Sequence, residues 1–288
     1  MTSILLIAEP ADAVRQSLSR ALMLARYLHA RIDIVFFDAG RPYTPRSSAA
    51  PQATAHAHQY LQALRASVTA PDVAITTDGA FEGFLPEYIA QKVVEQGAEL
   101  VIKAAGHRRM GHSSRIDWQL IRSCPAPLLL TQGRAWHPRP RFAAAIDILD
   151  RRTPNLPVAI AQTSSWLRGA CGADLTMMYA QTQKSSAMVP GEESPAQLRL
   201  RQLGLDFAID PQDLHMLSGN ANEALPRFAG ERAYDLVAVG VSDRSSFPEF
   251  VGSLSGQLLR ATDCDVLIVK PGSYSALQPA KAMIALET

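Results

Sequence analysis

The chain has 288 residues, enough for two domains at about 150 residues each, and its 47% apolar and 19% charged residues are ordinary for a globular protein. A net charge of +1, from 28 basic and 27 acidic residues, provides no global field for capturing nucleic acid or anionic lipid. Cys124, Cys171 and Cys264 are too few and too scattered for a disulfide framework and suit a reducing cytosol.

The first predicted strand is the apolar run 4–8, which ends at Glu9 and Pro10. It is too short for the apolar core of a signal peptide, and no later run has the length of a membrane span, so a cytoplasmic protein with no membrane partner is expected. Leu18, Ala21, Leu22, Ala25 and Leu28 then recur at helical spacing. Further strands are predicted at 32–37, 73–77, 99–104 and 127–131, with helical stretches between them. Residues 133–141 hold two prolines and several basic side chains and read as a solvated linker. Beyond it, strands are predicted at 142–147, 174–180, 214–218, 235–240 and 265–270.

The two series correspond. Gly79 and Gly219, Pro86 and Pro226, and Cys124 and Cys264 are each 140 positions apart. The run from Glu99 matches that from Asp235 at an offset of 136, and that from Ile4 matches Phe142 at 138. Landmarks that keep their order while the offset drifts are what small loop changes leave in a repeat. Short apolar strands alternating with helices indicate parallel βαβ units. The expected fold is therefore α/β, with two tandem, doubly wound, parallel five-stranded sheets of Rossmann-like kind. Residues 1–135 and 141–273 are the expected domains, and 274–288 a C-terminal tail.

Doubly wound sheets bind ligands beyond the carboxyl ends of their strands, where the strand order reverses. In the second half those ends carry Asp147, Gly219 and the loop from Gly240 through Asp243 and Arg244 to Gly252-Ser253. A Gly-Ser pair opening a helix presents N–H groups and a hydroxyl to phosphate, and Arg244 adds a charged donor. A helix cap at Ser253 and a strand end at Gly240 account for the same residues, and on the residues alone that reading is preferred because such caps are common. The first half has Glu9, Gly79 and the bulkier Gly106-His107-Arg108-Arg109 in these places.

The residues also resemble the universal stress protein family. Its members carry a carboxylate after the first strand and a G-x2-G-x9-G-[S/T] loop after the fourth. Asp147, Gly240 and Gly252-Ser253 match that pattern, whereas Asp243 stands at the second glycine and the loop is one residue shorter. The block from Asp117-Trp118 to Cys124-Pro125-Ala126-Pro127, and that from Asp235 to Pro271, are similar to the tandem, E-type members. The resemblance implies an internal pseudo-dimer, a role in stress survival, and ATP with magnesium as the family's ligand. A carboxylate at Asp243 repels phosphate unless a cation intervenes, so weak nucleotide or other anion binding is expected in the second cleft. The bulky residues after Gly106 argue against ATP binding of the family's kind in the first.

No P-loop, dinucleotide fingerprint or nucleophile elbow occurs. His56, His58, His107 and His112 read as solvated side chains, and no metal site is assigned. Lys103 lies in a strand-like run, where it either faces the cleft or extends to solvent. No catalytic residue is assigned. The leading expectation is a non-catalytic, regulatory stress-response protein binding a small molecule, without nucleic acid, with a homodimer as a further assembly. The alternatives are a slow ATP hydrolase using the second cleft and a purely structural interaction module.

Overall fold

The structure, a computed structural model, describes residues 2–9, 13–37, 50–68, 70–78, 85–106, 115–182, 193–241 and 254–272. Strands β1 (Ser3–Ala8), β2 (Arg31–Phe36), β3 (Ile75–Asp78), β4 (Ala98–Ala104) and β5 (Leu128–Thr131) alternate with helices α1 (Ala13–Leu28), α2 (Ala50–Ala66), α3 (Leu85–Gln96) and α4 (Arg115–Ser123). Strands β6 (Arg141–Ala145), β7 (Asp174–Gln181), β8 (Leu214–Ser218), β9 (Leu236–Gly240) and β10 (Asp265–Val269) follow, with α5 (Leu156–Cys171), α6 (Pro195–Asp206), α7 (Ala221–Arg232) and α8 (Leu254–Ala261) between them.

Each group of five strands is parallel, ordered β3-β2-β1-β4-β5 in the first and β8-β7-β6-β9-β10 in the second. The strand order reverses between β1 and β4, and again between β6 and β9. The two sheets join edge to edge. Val266, Leu267 and Ile268 of β10 pair antiparallel with Leu130, Leu129 and Leu128 of β5, giving one sheet of ten strands. This pairing covers two short, buried apolar edges that would otherwise offer free backbone groups to other chains.

Side chains alternate across the sheet. Ile4, Leu6 and Ala8 pack with α1, α2, α5 and α6 on one face, and Leu5 and Ile7 with α3, α4, α7 and α8 on the other. Burial on both faces explains why the strands are near-continuous apolar runs rather than alternating ones. Local signals set several helix ends. A capping box joins Ser194 to Gln197 at the start of α6, and Gly172 ends α5 at φ +60 with its N–H on the Arg168 carbonyl.

The segment 133–141 is exposed at Ala135, His137, Pro138 and Arg139, as expected of a solvated linker, but it is also anchored to two buried aspartates. Asp235, itself buried, accepts from the His137 backbone N–H at 3.1 Å and the Arg141 N–H at 2.8 Å, and pairs with Arg134. Asp265 accepts from the Gln132 N–H at 2.8 Å, Trp136 Nε1 at 2.9 Å and Arg20 Nε at 2.8 Å. The Arg20 guanidinium also lies 3.9 Å from the centroid of the Trp136 ring. Helix α1 of the first half is thereby fastened to β10 of the second through the connecting segment. Burial is the main influence on both members of this pair, lowering the pKa of Arg20 and raising that of Asp265 against their mutual attraction.

Candidate functional site

The two points where strand order reverses differ in what fills them. In the first half, Ile7 of β1 is in register with Lys103 of β4, and Glu9 lies just beyond β1. The Lys103 side chain is fully buried, with its ammonium 3.1 Å from Glu9 Oε1 and 2.8 Å from Asp117 Oδ1, and it donates to the Ala104 carbonyl at 2.9 Å. Asp117, in the first turn of α4, is also fully buried and accepts the Gly106 N–H at 2.8 Å. Tyr60 of α2 reaches over from the other face and donates to the Glu9 carbonyl at 2.9 Å. Burial by itself would lower the Lys103 pKa, but the carboxylates of Asp117 and Glu9 outweigh it and hold the ammonium above the ordinary lysine value.

In the second half the same register sets Ala145 of β6 beside Val239 of β9, so valine stands where the first half has Lys103. Asp147 follows β6 and is exposed. Its Oδ1 accepts the Leu149 N–H at 3.2 Å and its carbonyl the Asp150 N–H at 3.2 Å, folding the chain back in a turn. Desolvation of the carboxyl, reinforced by the nearby Asp150 carboxylate, raises the Asp147 pKa above the usual range.

Next to this turn lies a cavity of about 510 Å³ between the ends of β7 and β8 and the starts of α6 and α7. Tyr179, Gln181, Thr182, Ser194 and Asn220 supply its polar lining, and among the described residues no charged side chain lines it. Gly219, at φ +120, forms one wall, and few L side chains adopt that backbone. The helix starts beside it are capped internally. Ser194 accepts the Gln197 N–H at 3.2 Å, and Asn220 accepts the Asn222 N–H at 2.9 Å. Two helix N-termini and neutral polar groups make a wall suited to a planar, uncharged, hydrogen-bonding moiety, with weak favour for negative charge.

Of the residues singled out in the sequence, Gly219 borders this cavity, Asp147 forms the adjacent turn, and Glu9 and Gly106 enter the Lys103 cluster. Gly240 serves packing: a Cβ there would stand 2.7 Å from Leu156 Cδ2 and 2.8 Å from Ile160 Cδ1, so α5 presses directly on the end of β9. Gly79, His107, Arg108, Arg109, Asp243, Arg244, Gly252 and Ser253 lie outside the described residues. Sequence reasoning missed Asp117 as a partner of Lys103, and it missed Ser194 and Asn220. An isolated lysine in an apolar run facing a valine in the other repeat was the available sign of the first. Among the described residues no group of three or more His, Cys, Asp or Glu could hold a metal ion, and no helix is long and apolar enough to cross a membrane.

Comparison with known proteins agrees with this architecture. Residues 158–270 match the universal stress protein family. Universal stress protein E of Salmonella typhi is 24% identical over 207 residues, 65% of this chain and 66% of the relative's own length. A functionally unknown protein of Pseudomonas aeruginosa PAO1 superposes with a TM-score of 0.70 at 21% identity, covering 97% of this chain and 98% of that one. A universal stress protein of Archaeoglobus fulgidus superposes at 0.71 with 11% identity, covering 94% and 96%. Residues 158–270 thus match the universal stress protein family, and the chain as a whole shares the fold of a universal stress protein and resembles the E-type members.

Proposed function

We propose that this chain is a regulatory stress-response protein that binds one small ligand in its second half and carries out no reaction of its own. The reading treats residues 1–135 and 141–273 as two universal stress units and the protein as cytoplasmic. The observation that carries it is the asymmetry of the two reversal points. The first holds a buried lysine between two carboxylates, and the second has valine in that place with the neutral cavity alongside. A nucleotide suits the second cleft: Gln181, Thr182 and Asn220 can hydrogen-bond a base, and Asp147 can accept from a ribose hydroxyl. Gly252 and Ser253 would supply donors to the phosphates, and a magnesium ion would offset the negative charge of Asp243. Binding of this kind is weak, because Asp243 opposes the phosphates whenever the cation is absent.

Mass spectrometry of the freshly purified, denatured full chain, followed by calorimetric titration of ATP with and without magnesium, tests the reading. We expect a substoichiometric nucleotide or other small ligand, and affinity that rises with magnesium. Ala221→Phe, which fills the cavity from the α7 side, should weaken binding at least about tenfold, the loss of roughly one well-packed group. Asp243→Gly should strengthen binding in the absence of metal. Failure to bind any nucleotide at millimolar concentration, together with no retained ligand, would leave the cleft without a role. Steady phosphate release from ATP, abolished by Ala221→Phe, would instead make the protein a slow hydrolase.

A further inference from the structure

We propose that the first reversal point is a self-occupied site: the Lys103 ammonium is its permanent occupant, held by Glu9 and Asp117 where an open α/β sheet would otherwise take a ligand. The geometry gives three grounds. Lys103 enters from β4 and Glu9 from the end of β1, the two strands flanking the crevice, and ammonium and carboxylate meet at 3.1 Å. The third member, Asp117, comes from α4 and spans two partners, Lys103 Nζ at 2.8 Å and the Gly106 N–H at 2.8 Å. Gly106 precedes residues 107–114 and Asp117 follows them, so one carboxylate ties together both sides of the connection between β4 and α4. In the second half the register puts Val239 opposite Ala145 and leaves the Asp147 carboxylate without a lysine from β9.

Occupancy defines what this arrangement does. The Lys103 side chain, fully buried, fills the space between β1 and β4, with Glu9, 21% exposed, at its edge. A ligand approaching there meets space already taken by the lysine stem and ammonium. The first half is therefore closed without a ligand, and Gly106 and Asp117, on either side of residues 107–114, are tied to each other and to Lys103 by the chain's own charge rather than by a bound molecule. This inference stands apart from nucleotide binding in the second half and does not depend on it.

Chemical rescue tests it in the full chain. Lys103→Ala removes the stem and the ammonium and leaves two carboxylates facing an open crevice. Its melting temperature should fall on the order of 10 °C, as expected when one member of a buried ion cluster is removed. n-Propylammonium, which replaces the lost atoms, should recover at least half of that loss, while tetramethylammonium at equal concentration, which cannot donate a hydrogen bond, should recover none. Lys103→Met keeps the volume without the charge; it should also melt lower, with no response to n-propylammonium because the crevice is full. Should Lys103→Ala not fold, Lys103→Met and the isosteric Asp117→Asn decide, both being expected to melt below the parent. Melting of either of these with the parent, or equal recovery of Lys103→Ala by both ammonium ions, overturns the proposal.

Discussion

Removing the Asp265 carboxylate is the sharpest way to test whether the two halves are held by their buried polar contacts. Asp265→Ala would strip acceptors from Arg20 Nε, Trp136 Nε1 and the Gln132 N–H, at 2.8, 2.9 and 2.8 Å. Asp265 is almost completely buried and the Arg20 side chain is 9% exposed, so the guanidinium would be left in the interior without its counter-charge. Breaking a buried pair in this way costs about 3–5 kcal/mol, most of it the penalty on the stranded partner. At roughly 2–4 °C per kcal/mol for a chain of this size class, the melting temperature should fall on the order of 10 °C. Arg20→Met alone should cost less, because Asp265 keeps Gln132 and Trp136 as donors. The double variant Arg20→Met/Asp265→Ala should then be more stable than the sum of the single effects predicts, by about 1–3 kcal/mol, since no unpaired charge remains. Denaturant unfolding followed by far-ultraviolet circular dichroism and by tryptophan fluorescence reads all three variants. Additivity within about 0.5 kcal/mol would refute the account, for it would mean that Arg20 and Asp265 act independently.

Gly240→Ala should destabilise the fold by about 1–3 kcal/mol, because its Cβ would stand 2.7 Å from Leu156 Cδ2 and the α5–β9 contact would have to open. Thermal melts check this, and recovery in Gly240→Ala/Leu156→Ala would identify the clash as the cause. Asp33 supplies a signed pH effect. Burial would raise its pKa, but hydrogen bonds from Ser3, Thr76 and Arg31, with the charge of Arg31, outweigh burial and lower it. A carboxyl with a depressed folded-state pKa adds stability above its unfolded value, about 3.9, and loses it as the pH falls through the folded value. Asp33→Asn should therefore melt below the parent at neutral pH, and the gap should close on acidification. A gap of constant size would refute the assignment.

The strands were legible because all but the outer strands β3 and β8 are largely buried apolar runs, and all ten appear within two residues of where apolar runs bounded by turns place them. The joint between the halves was not. Leu128 to Leu130 are apolar and buried whether the neighbouring strand is parallel, antiparallel or absent from the chain, so nothing in that run distinguishes a free edge from the β10 pairing. The anchoring of the basic linker was not legible for a related reason. Its partners are Asp235 and Asp265, about 100 and 130 positions away, and each aspartate sits at the mouth of an apolar run where it looks like a solvated strand start. In the candidate site, Gly219 carried a readable sign, a glycine between a strand and a helix, and its φ of +120 is the reason for it. Gly240 carried the same sign for a different cause, since α5 rather than a ligand makes the close approach.

Lys103 shows why a repeat has to be read by its differences as well as by its matches. Duplication places the same four structural positions, two strand ends, a loop and a helix start, in both halves, and either copy can lose its ligand only if something else satisfies the groups left in the crevice. A carboxylate after the first strand is costly to bury without a cation. The second half avoids that cost by leaving Asp147 exposed, with its pKa raised, next to an open cavity. The first half buries its cluster and brings the cation in on β4, at the residue whose counterpart is Val239. Substituting Lys103 alone removes the ammonium that Glu9 and Asp117 share, and substituting Val239 with lysine would put an ammonium beside Asp147 with no equivalent of Asp117 to complete the cluster. The two halves are therefore not interchangeable: closure of the first requires three residues from three elements, and openness of the second follows from lacking two of them, the lysine and the helix aspartate.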